Sequence, residues 1–443
     1  MVGMSTPNVQ SFAFLASSTV LVVVYALVVT ELVNRAIVAL LGAAVLIALG
    51  ILTQTQALGA VDFNTIGLLV GMMIMVAVAR KGGLFGYVAV KAAQFARGSP
   101  AGILVSLALV TAILSAFLNN VTTILLVVPV TFLVCGRLKV PVYPFLFAEI
   151  FASNIGGTAT LIGDPPNIMI GSAAHLSFDA FLTNLMPIVV VIFAAQLLVN
   201  HLIWGRKLRA SAEDRAQIMA LNAKEAIEDR RLLRWSVMVL GLTILAFAFE
   251  DQLHLQAATI AMFGGALMLL IENIPLAHSA HAPNVTSALN EIEWITIFFF
   301  LGLFIVVGAV EHAGVLAWLG HQLVSLTGSD TKLAASGMLW VSAVLSAIVD
   351  NIPFVATMIP LVKNLAPTFG GAAAIQPIWW SLALGACLGG NGTLVGASPN
   401  LVAAGLAEKA GVEFSFLKFT ALAFPMMLGS IAVCQLYILW RYF

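Results

Sequence analysis
Apolar runs set the rhythm of this chain, at about residues 12–30, 36–52, 64–79, 101–118, 121–135, 143–174, 183–203, 235–250, 254–272, 295–310, 333–349, 352–366, 378–407 and 417–440. Most approach the ~20 residues that carry a helix across a bilayer core, and none alternates apolar with polar as a barrel strand does. The pattern predicts an all-α polytopic membrane protein. Runs 101–118 with 121–135, and 333–349 with 352–366, are separated by only a short polar step. Each pair predicts a hairpin that returns to the side it entered. The short arm 121–135 favours re-entry over two full crossings.

One stretch breaks the rhythm. Residues 205–234 hold eight basic side chains, from Arg206 to Arg234, and five acidic ones. The stretch reads as a water-exposed linker, helical in part, between membrane halves 1–204 and 235–443. Those halves repeat each other. At a shift of 231, Asp62-Phe-Asn-Thr-Ile66 aligns with Glu293-Trp-Ile-Thr-Ile297, Gly71 with Gly302, Gly83 with Gly314, Asn120 with Asn351 and Pro129 with Pro360. At a shift of 233, residues 156–163 align with 389–396, and Pro166-Asn167 with Pro399-Asn400.

Basic residues favour the cytoplasmic side of a membrane protein. With the linker in the cytoplasm, 17 of the 20 Lys and Arg, Arg35 among them, fall inside, and Lys332, Lys363 and Arg441 fall outside. This predicts a multi-pass plasma (inner) membrane protein with both termini outside and the two repeats inverted.

Composition closes off other classes. The chain is 61% hydrophobic and 9% charged, with a mean hydropathy of +1.05, against ~25% charged in a globular domain. A soluble enzyme is excluded. Equal numbers of acidic and basic residues give no ground for a nucleic-acid partner. Cys135, Cys387 and Cys434 lie in or at the ends of apolar runs without a CxxC spacing, so no disulfide framework or zinc site is expected. Met1–Gln10 lacks a basic residue and the first run is long enough to span, so no cleavable leader is expected.

Four polar, helix-breaking sites interrupt the apolar runs. They are Asn119-Asn120-Val-Thr122-Thr123, its counterpart Asp350-Asn351-Ile-Pro353, the long motif Ser153-Asn154-Ile-Gly156-Gly157-Thr158-Ala-Thr160-Leu-Ile-Gly-Asp164-Pro-Pro-Asn167, and Cys387-Leu-Gly-Gly390-Asn391-Gly-Thr393-Leu-Val-Gly-Ala-Ser398-Pro-Asn400. Glycine pairs and Pro-Pro unwind a helix. In hydrocarbon, freed backbone groups must be buried in protein or line a wet cavity. Paired hairpins and broken helices therefore predict a midplane binding site, with close helix packing at the glycines as the plainer alternative.

Asp164 and Asp350 are acids at membrane depth, which are functional by default. In the repeat, Asp164 faces Ala397 and Asp350 faces Asn119. The scaffold tolerates neutral residues at these places, so reversible protonation or cation binding suits both. Capping of a half-helix is the alternative, more so for Asp164, which precedes Pro165-Pro166. Asp62 and Glu293 read as helix-start residues. Arg80-Lys81 and Glu311-His312 read as helix ends. His175, at a loop edge, and His278 and His281, in a loop, have no carboxylates patterned around them as a metal site would. Cys387 is either a small buried filler or a soft ligand for a thiophilic solute.

No Walker A motif, filter loop or run of membrane charges is present, which leaves a secondary transporter and not an enzyme. Residues 153–168 and 350–353, with the two-half plan and charged linker, resemble the ArsB/NhaD permeases of the ion transporter superfamily, a group to which the P protein is similar. The resemblance implies inverted repeats, each with a re-entrant hairpin and an unwound helix. It implies exchange of arsenite or antimonite for protons, or of sodium for protons, without a cofactor. It places the site on Asn119, Asn120, Thr122, Asn154, Thr158, Thr160, Asp164, Asn167, Asp350, Asn351, Asn391, Thr393, Ser398 and Asn400. Its partner classes are the bilayer, a small inorganic solute, a soluble ArsA-type ATPase and a second copy of the chain.

Three substrates compete. A neutral metalloid trihydroxide needs hydroxyl and amide partners, a sodium ion needs an alternating acid, and a carboxylate needs amides and helix N-termini. Buried Asp opposes a multivalent anion, and no Lys or Arg falls within the four motifs, which weakens the anion reading further. Metalloid export leads, because the site is rich in amides and hydroxyls and its acids are not paired, with the sodium/proton antiporter next.

Overall fold
A computed structural model of the chain describes residues 7–30, 32–274, 278–328 and 330–443. All the regular elements among them are helical. In the first half these are α1 (Pro7–Thr30), α2 (Arg35–Ala48), α3 (Gln54–Gly59), α4 (Phe63–Lys81), α5 (Leu84–Phe95), α6 (Pro100–Phe117), α7 (Asn120–Leu138), α8 (Tyr143–Thr158), α9 (Pro165–Ala174), α10 (Phe178–Asn184) and α11 (Met186–Asn200), which runs into a π turn at His201–Gly205. The linker region carries α12 (Ala212–Met219). The second half has α13 (Arg230–Ala248), α14 (Glu250–Leu253), α15 (Ala257–Asn273), α16 (His278–Asn290), α17 (Trp294–His312), α18 (Val315–Thr327), α19 (Thr331–Ser346), α20 (Asn351–Leu365), α21 (Gln376–Gly389), α22 (Ser398–Lys409) and α23 (Phe416–Tyr442).

Among the described residues, eight helices are long and apolar enough to cross a bilayer. The predicted apolar runs fall on helices throughout. Two runs, 143–174 and 378–407, are each split into two half-helices, α8/α9 and α21/α22. The short helices α5, α10, α14, α16 and α18 lie between the apolar runs and carry no run of their own. His278 and His281, read as loop residues, belong to α16; their side chains lie outside the described residues. The arm α7 has 19 residues, so shortness is not what makes α6/α7 a hairpin. At its tip Asn120 approaches Asn154, in the last turns of α8 before the break, deep among the other helices.

The duplication is written into the packing. Gly83 and Gly314, matched in sequence, both adopt φ +80° and start α5 and α18, a left-handed conformation open to glycine. A Cβ on Gly71 of α4 would stand 2.4 Å from the Ala261 backbone of α15, and one on Gly302 of α17 2.5 Å from the Ala39 backbone of α2. Small residues let helices in lipid approach this closely. Each repeat thus seats its helix against the other repeat, and the halves interlock. With five crossings and one returning hairpin per half, the second half enters from the side opposite the first. The fold is two inverted repeats.

The broken helices are the best buried part. Every residue from Pro144 to Thr158 is buried, packed by α6 and α11 and by an aromatic wall in which Phe147 meets Phe151 at 4.8 Å, Trp204 at 5.0 Å and Phe419 at 5.2 Å. Such pairs add about 1 kcal/mol each beyond their burial. They hold the half-helix that carries Asn154.

Candidate functional site
The unwound segments are built twice to one plan. Glycine and proline leave carbonyls free at each break, and one asparagine per half collects them. Asn167 Nδ2 donates to the carbonyls of Thr158 and Thr160 at 3.1 and 2.9 Å. Asn400 Nδ2 donates to those of Gly390 and Thr393 at 2.7 and 2.8 Å. Each break is pinned to its hairpin by the same two hydroxyls. Ser115 Oγ donates to Ser153 O and Ser346 Oγ to Ala386 O, both at 2.6 Å. Thr160 Oγ1 donates to Ala116 O, and Thr393 Oγ1 to Ala347 O. Gly156 and Gly389 complete the contact, because a Cβ there would meet Ala112 O at 2.2 Å and Ala343 O at 2.5 Å. These contacts occupy Thr160, Asn167, Thr393 and Gly156 in holding the loops, while Gly157 and Gly390 offer their carbonyls to Asn167 and Asn400.

The two breaks touch across the pseudo-twofold. Asn154 Nδ2 donates to Asn391 Oδ1 at 2.9 Å and to Asn400 Oδ1 at 3.0 Å. Cys387, which occupies the repeat position of Asn154, lies with Sγ 3.4 Å from Asn167 Oδ1. Cys387 therefore belongs to the centre. Among the described residues, no three His, Cys, Asp or Glu side chains gather into a metal-binding set. Thr158 turns its hydroxyl back to Asn154 O at 2.7 Å, a local helix bond.

The hairpin tips close over this centre. Asn120 approaches Asn154 Oδ1 at 3.5 Å, and Asn351 Nδ2 donates to Asp164 Oδ2 at 3.2 Å. Asn119 caps α7 by accepting from Val121 N at 2.8 Å, and Thr122 of the same tip lies near Glu293. The capping expectation for the acids is reversed. Asp164 stands before α9 without any capping bond, its carboxylate spent on Asn351. Asp350 does cap α20, accepting from Ile352 N at 3.2 Å.

Two residues of this site were not singled out for it in the sequence. Arg35, at the first turn of α2, donates to Asp350 Oδ2 at 3.2 Å, Ser398 Oγ at 2.9 Å and Thr296 Oγ1 at 3.0 Å, with Phe299 under its guanidinium at 5.4 Å. Ser398 Oγ in turn donates a hydrogen bond to Asp350 Oδ2 at 2.9 Å. Glu293, expected as a helix-start residue, makes no capping bond and instead accepts from Thr296 Oγ1 at 3.2 Å beside Arg35. A fixed cation therefore stands in the site although none lies in its motifs. The only signal for it was an arginine at a helix start, which the charge bias had absorbed.

Six helix beginnings surround one point: Arg35 (α2), Asn119-Asn120 (α7), Asp164-Pro165 (α9), Glu293 (α17), Asn351 (α20) and Ser398-Pro399 (α22) all line it. Helix N-termini carry partial positive charge. The space left at this point is about 10 Å³, no more than one water. A larger cleft of about 280 Å³, between α1, α2 and α22, reaches Arg35, Asp350 and Ser398 from one side.

The profile of the citrate transporter family matches residues 25–385. An uncharacterized transporter of Mycobacterium tuberculosis is 43% identical over 429 residues, covering 96% of this chain and 98% of that one. The 46 kDa membrane protein of Mycobacterium leprae is 41% identical over 428 residues, with the same coverage. Human P protein is 35% identical over 504 residues, with 96% of this chain covered and 59% of the longer relative. The YdaH transporter of Alcanivorax borkumensis shares the fold, at a TM-score of 0.62 and 15% identity over 88% of each chain. The chain belongs to the citrate transporter family, and with it to the integral membrane secondary transporters.

Proposed function
We propose that this protein is a proton-coupled carrier of a small polycarboxylate anion, working by alternating access. One observation carries the reading: a fixed guanidinium, Arg35, stands where six helix N-termini converge. Oriented N–H groups and an arginine fork suit carboxylate oxygens. The name of the family points to the same chemistry. The acids at the site supply the coupling. Asp350 now occupies Arg35; a proton on Asp350 would cancel that pair and free the guanidinium for substrate. Asp164, held by Asn351, would take a second cationic charge. Asn120, Asn154, Asn391 and Asn400 would complete the shell as the hairpin tips part. The weakening of the anion reading for want of a cation is thus removed by Arg35. We place the linker in the cytoplasm of a plasma-membrane protein, on the bias in basic residues.

A second reading, exchange of arsenite or antimonite for protons, is supported by the Cys387 thiol in the centre beside Asn167.

Proteoliposomes with an imposed proton gradient separate the two. Labelled citrate, succinate, antimonite and sodium are offered singly to the wild-type protein and to Arg35→Gln. Gradient-driven uptake of a carboxylate, lost in Arg35→Gln, is the expected result. Movement of antimonite or sodium alone overturns the leading reading.

A further inference from the structure
Away from the central site, α8 buries one more acid. Glu149 is 1% exposed, lies within the apolar run 143–174, and sits about 7.5 Å along the helix from Asn154. Thr131 of α7 meets its Oε1, and its Oε2 has no hydrogen-bond partner. No cation faces it. The packed helices α6 and α11 carry no ionisable side chain. On α7 the neighbour is the Cys135 thiol, while Arg137 is exposed at the end of that helix. From the second half, α21 brings only Cys387, and α22 brings Glu408 and Lys409, both exposed. An ionised carboxylate with no counter-charge is expensive at this depth.

The hydrogen-bond geometry points the same way. Thr131 Oγ1 is within bonding distance of both Val127 O, at 3.3 Å, and Glu149 Oε1. The hydroxyl has one proton. With Glu149 ionised, Thr131 must split that one proton between two acceptors; with Glu149 protonated, Glu149 donates to Thr131 and Thr131 donates to Val127 O, so that each contact is a full two-centre bond.

We propose that Glu149 is a second proton-carrying site of this transporter, set between the hairpin arm α7 and the half-helix α8. Its place matters because α7 bears the tip Asn120 and α8 bears Asn154. Any movement of the hairpin against the broken helix changes the carboxyl's surroundings. With the arm seated, the O–H bond is intact and directed at Thr131. When α7 shifts, water reaches the carboxyl, the O–H bond breaks heterolytically, and the proton leaves as hydronium while the carboxylate is solvated. Return of the arm requires a proton to be taken up again. No oxidant or co-reactant is involved. The inference rests on proton-coupled transport as read above, and adds a titrating group that does not touch the substrate.

Two measurements test it. Acid-minus-alkaline infrared difference spectra of the purified protein report carboxylic carbonyl bands without any substrate. A band lost in Glu149→Gln, kept in Asp164→Asn and displaced in Thr131→Val is the expected result. In citrate-fed proteoliposomes, Glu149→Gln should lose net proton-driven uptake yet retain citrate/citrate exchange, which needs no net proton release. The glutamine amide fills the same volume and still bonds Thr131, so the fold is expected to hold, and Glu149→Asp provides a titratable check. A spectrum with no Glu149-dependent band overturns the proposal, as does unchanged proton movement per citrate in Glu149→Gln. Should no variant or wild type move citrate, the substrate reading fails while the infrared band still decides Glu149.

Discussion
The two broken helices share a frame and differ in their charges. Asn167 and Asn400, Ser115 and Ser346, Thr160 and Thr393, Gly156 and Gly389 make the same bonds in each half. Among the positions that depart from the match are Asp164 against Ala397, Asp350 against Asn119, Cys387 against Asn154, Thr158 against Asn391 and Ser398 against Pro165. The shared residues satisfy backbone that an unwound helix exposes, a demand that lipid imposes equally on both halves. Of these, Asp350 and Ser398 meet Arg35 and Asp164 meets Asn351, so both acids of the site stand at departures. Symmetry marks what holds the site, and its breaking marks what the site does.

The largest effects should come from the shared frame. Gly156→Ala and Gly389→Ala press a methyl into backbone rather than into a yielding side chain, and should cost about 3 kcal/mol or more. Both should lower the Tm of the detergent-purified protein sharply and similarly, while Gly405→Ala, with open space around it, should not. Next, Asn167→Ala and Asn400→Ala leave bonded carbonyls empty, for about 1–3 kcal/mol each, again in parallel. Unequal losses within either pair would break the comparison.

The asymmetric residues should behave in the opposite way. Arg35→Gln should abolish carboxylate uptake with little loss of Tm, since Ser398 and Ile352 still bond Asp350. Asp350→Asn, which copies the first repeat, should leave the fold standing and flatten the pH dependence of uptake. A collapse in Tm for either variant would make them framework instead.

The smallest effect lies outside the membrane region. Asp214 of α12 is held below the ordinary carboxylate range by Ser211 and by Lys139 at 2.9 Å, and Lys139 is raised in turn, first by its bond to Asp214. A depressed acid stabilises above its unfolded value and is lost as pH falls through its lowered one. Amide exchange in α12 should therefore rise on acidification below the usual Asp range, and Lys139→Ala should raise it already at neutral pH.

Most of the fold could be read from periodicity, because hydrocarbon demands long apolar helices and the offsets of 231 and 233 tie polar landmarks together. The hairpin tips and breaks were legible for the same reason. Arg35 was not, since it lies some 85 residues from the nearest motif and at a helix start that basic residues favour on other grounds. Glu149 was hidden inside an apolar run, where one acid does not alter the period. The roles of Asp164 and Asp350 as caps were inverted because local sequence shows which residue precedes a helix, not whether a distant asparagine has claimed its carboxylate.

The central claim is that gaps in both repeats form one anion site closed by Arg35. A cryo-EM map of the protein in nanodiscs with citrate tests it directly. The account predicts density between the Arg35 guanidinium, the tips at Asn120 and Asn351, and the start of α22 at Ser398. Citrate density away from Arg35, or a map in which Asn154 and Asn400 stand apart, would contradict it.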